Sequence, residues 1–131
     1  MQNMQGGKTA LGLDNNVGAL VCYLNICLPF GFIYSIIVLV TDKVNKLPRF
    51  HAVQSLLLSA AAFIIIMVLE VFSMIVAVGT RSSILSMLVG LVVMVICLGI
   101  LVAVIFAAIK AYGGQIFKLP VIGDMADKWS N

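Results

Sequence analysis

Three long apolar runs constrain this chain more than any other feature. Val17 to Val40 is 24 residues without a formal charge, Ala52 to Val78 is interrupted only by Glu70, and Ile84 to Ile109 has no charged side chain. At ~1.5 Å of rise per residue, each run is long enough to cross a hydrocarbon core of ~30 Å. Lipid offers no partner to a free backbone amide, so each run is expected to be a helix. The predicted fold is an all-α membrane protein with three transmembrane helices over about 17–40, 52–78 and 84–109. These form a membrane domain of residues 17–112, between a polar segment at 1–16 and an interfacial tail at 113–131.

Composition points the same way. The 131 residues are 63% hydrophobic and 10% charged, where soluble domains hold about 45–50% apolar and about 25% charged residues. The net charge of +3 is spread thinly over loops, which argues against a nucleic-acid surface. Cys22, Cys27 and Cys97 lie inside apolar runs with no second ligand at metal-binding spacing, so they read as core residues, and no metal or cofactor is expected. Residues 1–16 lack the apolar stretch of a signal peptide, which leaves the first span as the insertion signal.

Within the first run, Pro29 removes a backbone donor and predicts a kink. Gly79 to Ser83 joins the second and third runs so briefly that a tight antiparallel hairpin is expected. With three spans, Lys43, Lys46, Arg49, Lys110, Lys118 and Lys128 share one face, and Lys8 and Arg81 the other. The positive-inside rule then predicts an N-terminus outside and a C-terminus in the cytoplasm of a bacterial cytoplasmic membrane. After the third run, Gly113-Gly114 ends the helix. A tail carrying Trp129, Tyr112 and lysines is expected to lie amphipathically in the headgroup layer.

No catalytic set is present, and an enzyme is not expected. Glu70 lies ~12 Å below the outer surface, at the depth of Asn25. A structural Glu70–Asn25 clasp is the expected reading, with a proton or ion relay as the alternative. Small residues at Gly90, Gly99, Ala103 and Ala107 suit close helix packing, either inside the hairpin or between copies. At the inner face, Pro48 can open the second helix, and Arg49, His51, Gln54, Lys118 and Asp124 would form a polar platform. There Asp124 is expected to meet Arg49 or His51, and Arg49 could hold an anionic lipid phosphate.

Two motifs, RFHAVQS from Arg49 and KAYGGQIFKLPVIGDMA from Lys110, resemble those of the bacterial Tic-twenty-like family of small membrane proteins. That family includes uncharacterised bacterial and archaeal members, is similar to magnetosome membrane proteins of the MamF kind, and is distantly similar to a chloroplast inner-envelope import component. The resemblance covers residues 15–127. It implies an integral membrane protein working with a membrane-protein partner or as a homo-oligomer. The expected function is a non-enzymatic scaffold or accessory subunit, with a translocation or channel element as the alternative.

Overall fold

A computed structural model describes residues 6–26 and 29–130, with the side chains of residues 25, 26 and 29 outside that description. The described elements are all helical. They are α1 (Asn15–Val21), a 3₁₀ segment (Cys22–Ile26), α2 (Pro29–Thr41), α3 (Lys46–Thr80), α4 (Ser83–Tyr112) and α5 (Ile122–Trp129). Two of them, α3 with 35 residues and α4 with 30, are long and apolar enough to cross a membrane.

The first apolar run departs from expectation, because residues 17–40 do not form one spanning helix. They divide among α1, the 3₁₀ segment and the 13-residue α2, and α2 packs against both preceding pieces. The two ends of the run also meet: Asn15 Nδ2 donates to Asn45 Oδ1 at 3.3 Å, Asn45 Nδ2 to Lys8 O at 3.0 Å, and the Ala10 amide to Asp42 Oδ2 at 3.3 Å. A crossing segment would hold its ends ~30 Å apart. Here the segment turns back so that its ends meet. Its close approach depends on Gly18, where a Cβ would stand 2.7 Å from Thr9 Cγ2 and 2.8 Å from the Tyr34 hydroxyl oxygen.

The chain divides into two compact units, one of residues 1–59 with 103–131 and one of residues 60–102. The first unit contains the buried core. Ala19, Tyr23, Leu47, Val104, Ala107 and Ala111 form one cluster, Cys22, Val38 and Ala52 a second, and Phe50, Val53 and Ala126 a third. Alanines here let backbones approach closely, and Ser35 Oγ lies 3.1 Å from Ser55 Oγ across the α2–α3 contact. Such small and hydroxyl side chains are the usual adhesive between helices in lipid, where burying Leu gains nothing.

Helix ends in this unit follow from local chemistry. Pro48 occupies the first turn of α3, where its missing N–H has no intrahelical partner to lose. Gly114 closes α4 with a positive φ of 69°. Its amide donates to Ala111 O, and the Gln115 amide to Lys110 O, the paired bonds of a Schellman cap.

In the second unit, half-buried positions recur at 62, 66, 69, 73 and 76 of α3, and at 86, 89, 93, 96 and 100 of α4, with 82 just before it in the same register. The alternating steps of four and three mark a coiled-coil-like stripe on each helix. Leu69, Phe72, Leu88, Val89, Val92 and Val93 line a shared apolar groove of about 210 Å³. Glu70 is exposed, one position off the stripe. Gly90 and Gly99 are also exposed, and a Cβ on either would touch nothing. Of the predicted packing residues, Ala107 is fully buried and Ala103 half-buried, so the small-residue series splits instead of forming one contact face.

Candidate functional site

The start of α3 and the tail after α4 come together in the first unit. Between Gly114 and α5 the chain forms no regular element, and its backbone is held by two α3 side chains one turn apart. His51 Nε2 lies 3.0 Å from Gln115 O, Gln54 Nε2 donates to Phe117 O at 3.1 Å, and the Leu119 amide donates to Gln54 Oε1 at 3.4 Å. The contacted residues alternate, at 115, 117 and 119, so one edge of the tail faces α3.

Tyr23 completes the arrangement. Its hydroxyl lies 2.9 Å from His51 Nδ1 and accepts from Gln54 Nε2 at 2.9 Å. Because Gln115 O can only accept, His51 Nε2 carries a proton; in the neutral tautomer, Nδ1 then accepts from the Tyr23 hydroxyl. Both imidazole nitrogens are engaged. His51 and Gln54 are fully buried and Tyr23 nearly so, a setting in which an unmade hydrogen bond is costly. The Tyr23 and Phe50 rings also meet His51 edge-on, with centroids at 5.6 and 5.1 Å.

Arg49 takes a different place from the one expected. Its Nη1 donates to Asp42 O at 2.8 Å and to Leu39 O at 3.4 Å, and its Nε to Ser130 O at 3.0 Å. It therefore ties the end of α2 to the end of α5, a cation placed where helix carbonyls are free. Asp124 meets neither Arg49 nor His51 in these contacts; it lies 3.6 Å from Lys118 Nζ. One turn later, Asp127 is the stronger partner, 2.8 Å from Lys118 Nζ and 3.1 Å from Lys46 Nζ. These two bonds, that of Lys118 first, hold the Asp127 carboxyl below its ordinary value, and the Asp127 bond raises Lys118. The tail does fold back onto the platform, through Asp127 in place of Asp124.

The turn before α5 is tightly specified. A Cβ on Gly123 would stand 2.5 Å from Lys118 Cα. Val121 adopts φ 65° and ψ −56°, and the Ile122 amide donates to Pro120 O across it at 2.7 Å. This is a γ-turn of positive φ, strained for a β-branched residue.

Asn25, half of the expected clasp, has its side chain outside the described residues, as does the whole of Cys27. Among the described residues no group of three or more His, Cys, Asp and Glu side chains gathers to hold a metal. The sequence reading missed Tyr23, Asp42 and Asp127. A tyrosine inside an apolar run was the available signal, since a buried phenol needs a partner.

Comparison with known proteins gives a consistent kinship. A UPF0132 membrane protein of Methanocaldococcus jannaschii is 36% identical over 124 residues, 95% of this chain and 96% of its own length. A second UPF0132 membrane protein of that organism is 32% identical, covering 92% of this chain and 73% of its own. One from Archaeoglobus fulgidus is 29% identical, covering 79% and 93%. No solved structure matches the chain. The model of the magnetosome magnetite crystal formation protein family matches residues 14–126, a range that includes both α3 and the clamped tail. This chain therefore belongs to the MamF/MmsF family and is similar throughout to archaeal UPF0132 membrane proteins.

Proposed function

We propose that this protein is a non-enzymatic membrane scaffold or accessory subunit, with α3 and α4 as a two-span antiparallel hairpin and the first unit as a platform at one membrane face. The observation that carries this reading is the clamp of Tyr23, His51 and Gln54. Its hydrogen-bonding atoms are engaged by one another and by the tail backbone, which favours a fixed docking surface over a group poised for proton transfer. Seven of the eight basic residues, Arg81 excepted, belong to the first unit. By the positive-inside rule the platform faces the cytoplasm, with both termini on that side of a cytoplasmic membrane.

The Tic-twenty-like resemblance supplies the second reading, a translocation or channel element. In the stripes of α3 and α4 the polar members are Ser73 and Ser86, with Ser82 just before α4, among apolar residues, so a conducting path would need several copies. The deciding experiment is purification of the full chain from native membranes in mild detergent, beside the His51→Ala/Gln54→Ala variant. The scaffold reading predicts a stoichiometric membrane-protein partner that the variant loses. A chain that purifies alone and conducts ions or peptides in vesicles would overturn it.

A further inference from the structure

Beside Arg49 the first unit carries a groove of about 430 Å³, lined by Leu39, Arg49, Val53, Leu56, Leu57 and Trp129. Its volume is that of an ordinary small-ligand site, and its lining has one cation at an otherwise apolar wall. Arg49, Val53, Leu56 and Leu57 fall at i, i+4, i+7 and i+8, one face of α3. The guanidinium thus stands at the interfacial end, and the apolar wall continues for ~12 Å along the helix toward the membrane interior.

Among the described residues Arg49 has no carboxylate partner. Its three hydrogen-bond partners are carbonyl oxygens. The nearest carboxylate in sequence, Asp42, is occupied by the Asn45 side chain and the amides of Ala10, Val44 and Asn45. The described ion pairs all use Lys46 or Lys118. A fixed guanidinium at the head of an apolar slot complements a ligand with an anionic head and a hydrocarbon tail.

We infer that this groove binds one anionic phospholipid, with its phosphate at Arg49 and an acyl chain against Val53, Leu56, Leu57 and Trp129. The bound lipid seals the α2–α3–α5 junction, where Arg49 already ties Leu39 and Asp42 to Ser130. This inference rests on the bilayer-embedded reading but not on any protein partner, so failure of co-purification leaves it standing.

Trp129 is the only tryptophan in the chain and lines the groove, which makes its fluorescence a local probe. The full-length protein would be reconstituted in phosphatidylcholine vesicles containing increasing fractions of phosphatidylglycerol or phosphatidylcholine with brominated acyl chains, which quench tryptophan on contact. Half-maximal quenching is expected at a roughly tenfold lower mole fraction of the brominated phosphatidylglycerol, the scale of one charge-assisted hydrogen bond. That preference should persist in about 0.5 M salt, which screens exposed lysines, and in Lys128→Gln, but vanish in Arg49→Gln. Equal quenching by both lipids would overturn the inference, as would a preference lost in Lys128→Gln and kept in Arg49→Gln. Should Arg49→Gln fail to fold, the wild-type protein at both salt concentrations decides, since a preference that salt abolishes belongs to the exposed lysines and not to the groove.

Discussion

His51 shows how a residue expected at an interfacial polar platform becomes a buried structural member. Arg49, His51 and Gln54 were legible as a polar cluster at the start of a span, because polar side chains beside a long apolar run must find partners. What they bond to was not legible. Tyr23 is 28 positions away and Gln115 is 64 away from His51, and no periodicity encodes such pairings. His51→Ala leaves the Tyr23 hydroxyl without its acceptor and Gln115 O without its donor, and should cost about 1–3 kcal/mol in detergent-monitored unfolding. In a cycle with Tyr23→Phe the two substitutions should couple by at least ~0.5 kcal/mol, since they share one hydrogen bond; strict additivity would contradict the clamp. The ion pairs beside it set a pH window. Asp127 is held below its ordinary 3.8, so its contribution is present above that value and is lost as pH falls further. Lys118 is raised above its ordinary 10.5, so its contribution is present below that value and is lost as pH rises further. Protease cleavage of the tail at Lys128 should therefore be constant between these limits and accelerate outside them.

At the scale of elements, α3 and α4 were readable from composition and length alone, and Gly113-Gly114 marked the end of α4 as the Schellman cap requires. The first run misled because its length and lack of charge are those of a span. Its polar ends, Asn15 before it and Asp42 with Asn45 after it, bond to each other, a long-range match that hydropathy does not register. Pro29 was expected to kink a continuous helix; in the structure it begins a separate one, α2. The tail turn gives two opposed predictions. Gly123→Ala drives a Cβ into Lys118 Cα and should destabilise tail docking by about 1–3 kcal/mol, the range of overpacking. Val121→Gly removes a β-branched side chain from a positive-φ position, relieves strain of order 1 kcal/mol or more, and should raise the melting temperature. Protection of the tail from limited proteolysis would report both changes.

For the whole molecule, a first run that turns back on itself would, if re-entrant, change the parity of membrane crossings from three to two. Three spans would put Lys8 on the face opposite Asn45, whereas the Asn45 side chain donates to the Lys8 carbonyl. With two spans, the N-terminal segment, the 42–45 loop and the tail share one face, and Arg81 in the α3–α4 connection is the basic residue assigned to the other. The exposed positions Glu70 of α3 and Gly90 and Gly99 of α4 would then face lipid or a neighbouring helix, which accords with the proposed assembling subunit. The most direct test uses single cysteines at Lys8, Lys43, Arg81 and Lys128 in a chain lacking Cys22, Cys27 and Cys97, labelled in sealed oriented vesicles by a membrane-impermeant maleimide. Positions 8, 43 and 128 should label from the same side and position 81 from the opposite side; labelling of position 8 together with 81, and apart from 43 and 128, would contradict the re-entrant fold and restore three spans.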